Sequence, residues 1–245
     1  MLPALKGGSG NFWAVTECQT AGRGRRGRGW VAPVGNLAAS LLKVSPQPAH
    51  ALATLGFVAG LAAHWAISAV ALRRPVADVA GDAGATGRMA GLELKWPNDL
   101  LLDGAKLVGI LLEADRLADG MTAVVVGIGI NVVRAPEGAP YRVASLAEAG
   151  VVTDAATMFA ALSDAWVLAE RLWDDGTGFG AIRAAWLARA RGVGAPVRVQ
   201  LSDRVIEGWF ETLDGDGHLV VRGDDGRRHS VAAGDVHFGV AATAG

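Results

Sequence analysis

The sequence has few of the features that mark secreted, metal-binding or nucleic-acid-binding proteins. Cys18 is the single cysteine among 245 residues, which excludes a disulfide framework and favours a reducing compartment. Residues 1–10 carry no long apolar core behind a basic start, so they do not read as a signal peptide. The five histidines lack metal-ligand spacing. With 23 basic and 24 acidic residues the net charge is −1, whereas nucleic-acid-binding domains are usually strongly basic.

Charge is also missing from residues 51–72, which contain eight alanines and a Gly56-x-x-x-Gly60 pattern that membrane helices use. Thr54 and His64 interrupt the apolar run, and alanine inserts only weakly into lipid. We therefore predict a buried helix that packs against a sheet rather than a membrane span.

Periodicity and turn signals predict an α+β chain. The expected strands of the larger part are 12–19, 36–44, 92–96, 99–102, 106–114 and 122–133, and the expected helices are 51–72, 153–173 and 179–191. Residues 78–91 are rich in Gly and Ala without periodicity and predict an exposed loop. Short alternating runs at 197–201, 205–213, 219–222 and 228–232 are separated by Asp-Gly turns and predict a small β-barrel. We expect a mixed β-sheet with flanking helices in residues 1–192 and the barrel in residues 193–245.

The most unusual run present is Gly22-Arg23-Gly24-Arg25-Arg26-Gly27-Arg28, called here the Gly-Arg loop. Glycine lets the backbone approach a ligand, and arginine donates to phosphate and carboxylate oxygens. The glycine spacing matches a dinucleotide fingerprint, but residues 29–33 end in proline and cannot begin the helix that the fingerprint requires. The loop predicts an anion site, and an RNA-binding Arg-Gly tract stays open as an alternative.

Three further runs follow: Lys95-Trp96-Pro97-Asn98-Asp99, Lys106-Leu107-Val108-Gly109-Ile110-Leu111 and Gly127-Ile128-Gly129-Ile130-Asn131. Each alone could be structural, since strand glycines often mark bulges or close packing. In this order after Gln19-Thr20-Ala21, the Gly-Arg loop and Trp30, they resemble the biotin protein ligases over about residues 12–240. The nearest alternative with the same acyl-adenylate chemistry is a lipoate-protein ligase.

The resemblance implies a catalytic domain like that of class II aminoacyl-tRNA synthetases and an SH3-like C-terminal barrel. It also implies a cytoplasmic ligase of the monofunctional type, without a DNA-binding domain. Such an enzyme uses ATP, biotin and Mg²⁺ to form biotinyl-5′-AMP, and then attaches biotin to a lysine of the biotin carboxyl carrier protein of acetyl-CoA carboxylase. The resemblance implies neither a nucleic-acid nor a membrane partner, and it leaves a homodimer open.

The same resemblance assigns roles to residues. It implies catalytic roles for Arg25, Lys106 and Asp99, with Asp99 also holding Mg²⁺ and Arg25 retaining the adenylate. The implied biotin-binding residues are Gln19, Arg23, Gly24, Arg25, Lys106, Gly109, Leu111 and Gly127, with Gly129 beside them. The implied ATP- and adenylate-binding residues are Arg23, Arg25, Arg26, Arg28, Trp30, Asn98 and Asn131.

The start of the chain departs from the family pattern. A Ser-Thr-Asn signature is usual more than 20 residues before the glutamine, yet only 18 residues precede Gln19, and Gly8-Ser9-Gly10-Asn11 is not that motif. We expect the chain to begin inside the catalytic domain, without part of the biotin pocket. A repressor-type ligase would need about 60 residues more ahead of the catalytic part.

Overall fold

A six-stranded antiparallel sheet forms the larger part of the chain. The computed structural model describes residues 11–82, 84–201 and 203–238. Residues 8–10 of the run Gly8-Ser9-Gly10-Asn11 lie outside these ranges. The strands are ordered β1-β2-β6-β5-β4-β3. Their bounds are Phe12–Thr16 (β1), Leu37–Ser45 (β2), Leu92–Lys95 (β3), Asp99–Leu102 (β4), Ala105–Arg116 (β5) and Thr122–Ile130 (β6).

In the described residues, five α-helices accompany this sheet. Their bounds are Ala49–Ala53 (α1), Leu55–Leu72 (α2), Val76–Gly81 (α3), Ala155–Trp173 (α4) and Phe179–Leu187 (α5). Helix α2 is apolar on every side, as expected for a helix that is surrounded by protein. By length and composition alone, segment Ala49–Leu72 could cross a membrane, but 78% of its apolar 18-residue stretch is buried inside the protein. The prediction of a buried, sheet-packed helix is confirmed.

The two faces of the sheet differ because side chains alternate along each strand. On β6, Val126 and Ile128 face the helices and belong to the core, whereas Gly127 and Gly129 face the other side. On β5 the same alternation separates Ile110 from Gly109. One face is therefore a packed core, and the opposite face is thinned by glycines and leaves room for a cavity.

A second sheet follows, with five antiparallel strands ordered β10-β9-β8-β7-β11. Their bounds are Pro196–Gln200 (β7), Val205–Leu213 (β8), Leu219–Arg222 (β9), Arg228–Val231 (β10) and Asp235–Phe238 (β11). Strands β10 and β11 are its edges, and within the described ranges no ladder joins them. The expected small β domain is present as an open sheet in this part of the chain.

Several local expectations were wrong. The strand expected at 122–133 ends at Ile130, and the helix expected at 179–191 ends at Leu187. Strand β1 ends at Thr16 rather than Gln19, because the chain turns at residues 17–21 toward the Gly-Arg loop. Residues 78–91 are not a plain loop, since α3 packs Val79 into the core and a short 3₁₀ helix covers Ala85–Gly87. Strand β11 was missed because it forms only by pairing with β7 at the edge of the second sheet.

Helix α2 carries a buried ionisable group, and this gives a prediction on acid stability. Burial, with a contribution from nearby Arg189, lowers the pKa of His64 to about 3. Because the unfolded chain takes up this proton near pH 6.5, the stability from neutral His64 is full above that pH and is lost as the pH falls toward 3. We expect the free energy of unfolding to fall by about 2 kcal/mol between pH 6.5 and pH 5 through this group alone.

Urea titrations at pH 7 and pH 5 measure the effect. His64→Leu should reduce the loss between the two pH values, whereas His50→Leu on exposed α1 should leave it unchanged. An equal loss in wild type and His64→Leu would contradict the prediction.

Candidate active site

The Gly-Arg loop is a narrow hairpin. Its two arms are joined at Gln19–Ala32, Gly22–Trp30, Arg23–Gly29 and Gly24–Arg28. The tip is the 3₁₀ turn Arg25–Gly27, and Gly27 takes a φ of 71°, a left-handed conformation that glycine adopts without steric cost. The glycines thus allow a tight turn, and the arginines between them lie on the arms and tip of this hairpin.

Trp30 lies directly on the glycine-thinned face of the sheet. Gly109 and Gly129 are partners across β5 and β6. A Cβ added to Gly129 would lie 2.5 Å from Trp30 Cε2, and one added to Gly109 would lie 2.7 Å from Trp30 Cζ3. These two glycines therefore provide the space in which the indole packs against the backbone.

Two neighbouring cavities share Trp30 and Lys106 in their walls. The larger, about 740 Å³, is lined by the Gly-Arg loop, the glycine face, the turn between β3 and β4, and strand β11. The smaller, about 150 Å³, is lined by Asn131 and the loop at residues 136–141. A cavity of 300–1,000 Å³ suits a small-molecule substrate, so the larger one can hold a ligand of that size.

Lys106 and Asp99 form an ion pair at the centre of this region. Lys106 Nζ lies 2.7 Å from Asp99 Oδ1, and both side chains are only 19% exposed. The ammonium also lies 5.6 Å from the ring centroids of Trp30 and Tyr141, within the range of cation–π attraction. A cation held in this partly dry setting interacts strongly with a reacting anion.

The arginines of the loop are tied to the surrounding walls. Arg23 Nη2 donates to Glu113 Oε2 at 2.9 Å on β5, and Arg28 Nη2 donates to Asp235 Oδ2 at 2.7 Å on β11. Arg25 Nη1 donates to Asn98 Oδ1 at 3.1 Å. The two ion pairs are substantially exposed, and such pairs contribute little stability. An arriving anion can therefore replace these carboxylates at small cost.

The two asparagines have different surroundings. Asn98 Nδ2 donates to the Ile110 carbonyl, and Ile110 N donates to Asn98 O at 3.0 Å, so Asn98 fastens the β3–β4 turn to β5. Asn131 Nδ2 donates to Ala144 O at 3.0 Å, whereas its Oδ1 is buried without a partner among the described residues. That oxygen, beside the smaller cavity, is available to accept a hydrogen bond from a ligand.

The smaller domain contributes to the site through a turn. Trp96 Nε1 donates to Gly217 O at 3.0 Å in a fully buried contact. The turn is braced by Asp214, whose carboxylate accepts from Asp216 N at 3.0 Å and from His218 N at 2.9 Å. Because Trp96 directly precedes Pro97-Asn98-Asp99, this contact positions the segment that carries the central carboxylate.

The side chains of this site could supply only some of the ligands of a magnesium ion. Among the described residues, the trio Asp214, Asp216 and His218 has potential ligand atoms close together, but it lies in the bracing turn just described. At the centre of the cavity lies Asp99, whereas the carboxylates of Glu113 and Asp235 in its wall pair with arginines of the Gly-Arg loop. Mg²⁺ commonly uses one or two carboxylates together with substrate phosphates and water, so Asp99 fits an ion that arrives with a triphosphate.

The structure brings nearly all predicted site residues together. The larger cavity is lined by Gln19, Arg23, Gly24, Arg25, Arg28, Trp30, Asn98, Asp99, Lys106, Gly109, Leu111, Gly127 and Gly129, and Asn131 lines the smaller one. The Arg26 side chain lies outside the described part of the structure. The individual roles stay predictions.

Sequence reasoning missed Lys95, Glu113, Tyr141 and Asp235, which also line the larger cavity. Glu113 could have been found, because it lies on the same face of β5 as Gly109 and Leu111. Tyr141 and Asp235 belong to segments that no motif marks.

The chain matches the Biotin/lipoate A/B protein ligase family over residues 9–131 and the Biotin protein ligase C terminal domain over residues 192–239. It is 39% identical over 244 residues to a biotin--[acetyl-CoA-carboxylase] ligase of Paracoccus denitrificans. The aligned region covers 97% of this chain and 95% of that relative. The chain belongs to the biotin protein ligase family. The expected family, enzyme class and α+β architecture are thereby confirmed.

Other biotin protein ligases give the same result. A biotin--[acetyl-CoA-carboxylase] ligase of Mycobacterium tuberculosis is 33% identical over 227 residues, covering 91% of this chain and 77% of that relative. The biotin protein ligase from Aquifex aeolicus in complex with biotin and ATP has a TM-score of 0.73 at 24% identity, covering 93% and 89% of the two chains. That likeness shows that the ligase has the same fold.

Proposed function

We propose that this ligase activates biotin with ATP to biotinyl-5′-AMP and transfers the biotinyl group to a lysine of the biotin carboxyl carrier protein of acetyl-CoA carboxylase. The observation that carries the proposal is the convergence of four separate sequence motifs on one cavity around the Lys106–Asp99 pair. The Paracoccus and Mycobacterium relatives are named biotin--[acetyl-CoA-carboxylase] ligases, which supports the proposal. We assign the reaction to the cytoplasm and to a catalytic domain within residues 1–192.

Biotin occupies the larger cavity in this proposal. Gly127 has no atom nearer than 3.5 Å to an added Cβ, so the sheet leaves open space beside Leu111. Gln19 and Gly24 close the cavity from the loop side. The adenine occupies the smaller cavity, where the Trp30 ring gives an apolar face and Asn131 Oδ1 accepts a hydrogen bond.

The first step is an in-line displacement. A biotin carboxylate oxygen attacks the α-phosphorus of ATP, the bond to the bridging oxygen breaks, and pyrophosphate leaves with that electron pair. Lys106, Arg23 and Arg25 stabilise the charge that collects on the phosphoryl oxygens. Mg²⁺, when bound with the triphosphate, neutralises phosphate charge, and Asp99 is the residue that would hold it.

The second step uses the carrier's lysine. Its neutral amine attacks the biotinyl carbonyl, an amide bond forms, AMP leaves with the electrons of the broken C–O bond, and the nitrogen releases one proton to the solvent. Asp99 orients the amine, because its carboxylate lies in the cavity wall beside Lys106. Arg25 holds the adenylate phosphate and delays its escape, since its hydrogen bond to Asn98 keeps the tip of the loop over the cavity.

Biotin-dependent exchange of pyrophosphate into ATP tests the first step. We expect exchange with biotin and no exchange without it, followed by a mass increase of one biotinyl group on a single lysine of the carrier. Lipoate serves as the matched substrate. Exchange that depends on lipoate but not on biotin would contradict the proposal and assign the chain to lipoate transfer.

A further inference from the structure

Lys95 is a lysine of the larger cavity to which the proposed reaction gives no role. It is the last residue of β3, where it faces away from the core that Leu92 and Leu94 form, and its side chain lines the cavity. Its Cα is paired with that of Asp99 across the β3–β4 hairpin. The position places a cation in the wall of the larger cavity, on the strand next to that of Asp99.

Among the described residues, Lys95 has no ion-pair partner, in contrast to three other cations of this cavity. Lys106, Arg23 and Arg28 form ion pairs with Asp99, Glu113 and Asp235. Within residues 11–82, 84–201 and 203–238, the Lys95 ammonium has neither an ion pair within 4 Å nor a side-chain hydrogen bond.

Its setting also disfavours an unpaired charge. The Lys95 side chain is half-buried, and desolvation lowers the pKa of its ammonium from the ordinary value, with Asp99 and Asp235 opposing and Lys106 and Arg191 adding to the shift. A desolvated cation without a partner costs free energy that an anionic ligand can recover. Lys95 is therefore a positive charge that the carboxylates of the cavity do not pair with, since each of these carboxylates forms an ion pair with another cation.

We propose that Lys95 binds the β- and γ-phosphates of ATP and the pyrophosphate that leaves. The assignment rests on the proposed adenylation, and it adds a subsite for the leaving group. Attacking and leaving oxygens lie on opposite sides of the phosphorus in such a displacement. Lys106 borders both cavities together with Trp30 and Tyr141, whereas Lys95 borders only the larger one, so the two lysines are available to different phosphates of one triphosphate.

Lys95 transfers no proton in this scheme. Its ammonium donates hydrogen bonds to phosphate oxygens before and after the P–O bond breaks. Since the electron pair of that bond stays on the leaving oxygen, a cation beside it stabilises both the transition state and the bound pyrophosphate.

Pyrophosphate exchange with full-length Lys95→Gln tests the assignment. We expect the KM values for pyrophosphate and for ATP to rise by roughly ten- to a hundred-fold, as for loss of a charge-assisted hydrogen bond. Lys95→Arg should recover most of the loss. Transfer of biotin from added biotinyl-5′-AMP to the carrier should keep the wild-type rate, because that step involves no pyrophosphate.

Two controls separate binding from folding. Lys95→Gln removes an unpaired charge, so its melting temperature should not fall, and pyrophosphate should raise the melting temperature of wild type but not of Lys95→Gln. Lys43→Gln removes a lysine that pairs with Glu170 outside the cavity, so it should lower the melting temperature without changing the KM for pyrophosphate.

The outcomes distinguish the alternatives. Unchanged KM values in Lys95→Gln overturn the assignment. Loss of transfer from biotinyl-5′-AMP with normal KM values also overturns it, and places Lys95 against acidic groups of the carrier instead. Wild-type protein that shows no biotin-dependent exchange contradicts the proposed function itself.

Discussion

Replacing Lys106 by glutamine is expected to slow biotinyl-5′-AMP formation by a factor on the order of 10²–10³, the usual effect of removing one preorganised donor from a developing anion. The ammonium is 2.7 Å from Asp99 and lies over two aromatic rings, so it is fixed in place before substrate arrives. Glutamine keeps a donor but loses the charge. Single-turnover formation of the adenylate at saturating biotin and ATP measures the loss.

Lys106→Arg and Asp99→Asn are the matched controls for this substitution. Arginine retains the charge but spreads it over a planar fork, so we expect partial recovery. Asp99→Asn frees Lys106 from its ion pair and should leave the charge at the reacting centre, so adenylation should fall less than in Lys106→Gln. Adenylate formation at the wild-type rate in Lys106→Gln would show that this ammonium is not part of the reacting centre.

The residues of the site that could be predicted from the sequence are those in motifs that restrict the backbone locally. The Gly-Arg loop, Pro97-Asn98-Asp99 and the glycines of β5 and β6 are each readable because their residue types restrict the chain locally. Antiparallel pairing then brings them together, since Asp99 and Gly129 both lie opposite Gly109. The sequence therefore predicted the motif residues that line the larger cavity, but not the rest of its lining.

The rest depends on contacts between distant elements. Asp235 reaches Arg28 across 207 positions of sequence, and Gly217 reaches Trp96 across 121. No local pattern specifies which turn of the small sheet enters the large domain. Strand β11 illustrates the same limit, because its four residues form a strand only by pairing with β7.

Gly129→Ala is expected to raise the KM for ATP by roughly ten- to a hundred-fold, from the ~1–3 kcal/mol that overpacking costs. The added Cβ would lie 2.5 Å from Trp30 Cε2 and Nε1. An indole is rigid, so the whole ring must leave the sheet, and the wall between the two cavities moves with it. Initial rates of exchange at saturating biotin measure this KM.

Gly127→Ala, two residues earlier on the same face, shows whether the cause is the contact with Trp30 or only the added volume. Its Cβ would meet Leu111 O at 3.5 Å, an ordinary contact, so Trp30 need not move and the methyl group instead occupies the larger cavity. We expect a higher KM for biotin with little change for ATP. Equal increases in the KM for ATP in the two variants would mean that Trp30 does not define the nucleotide side of the site.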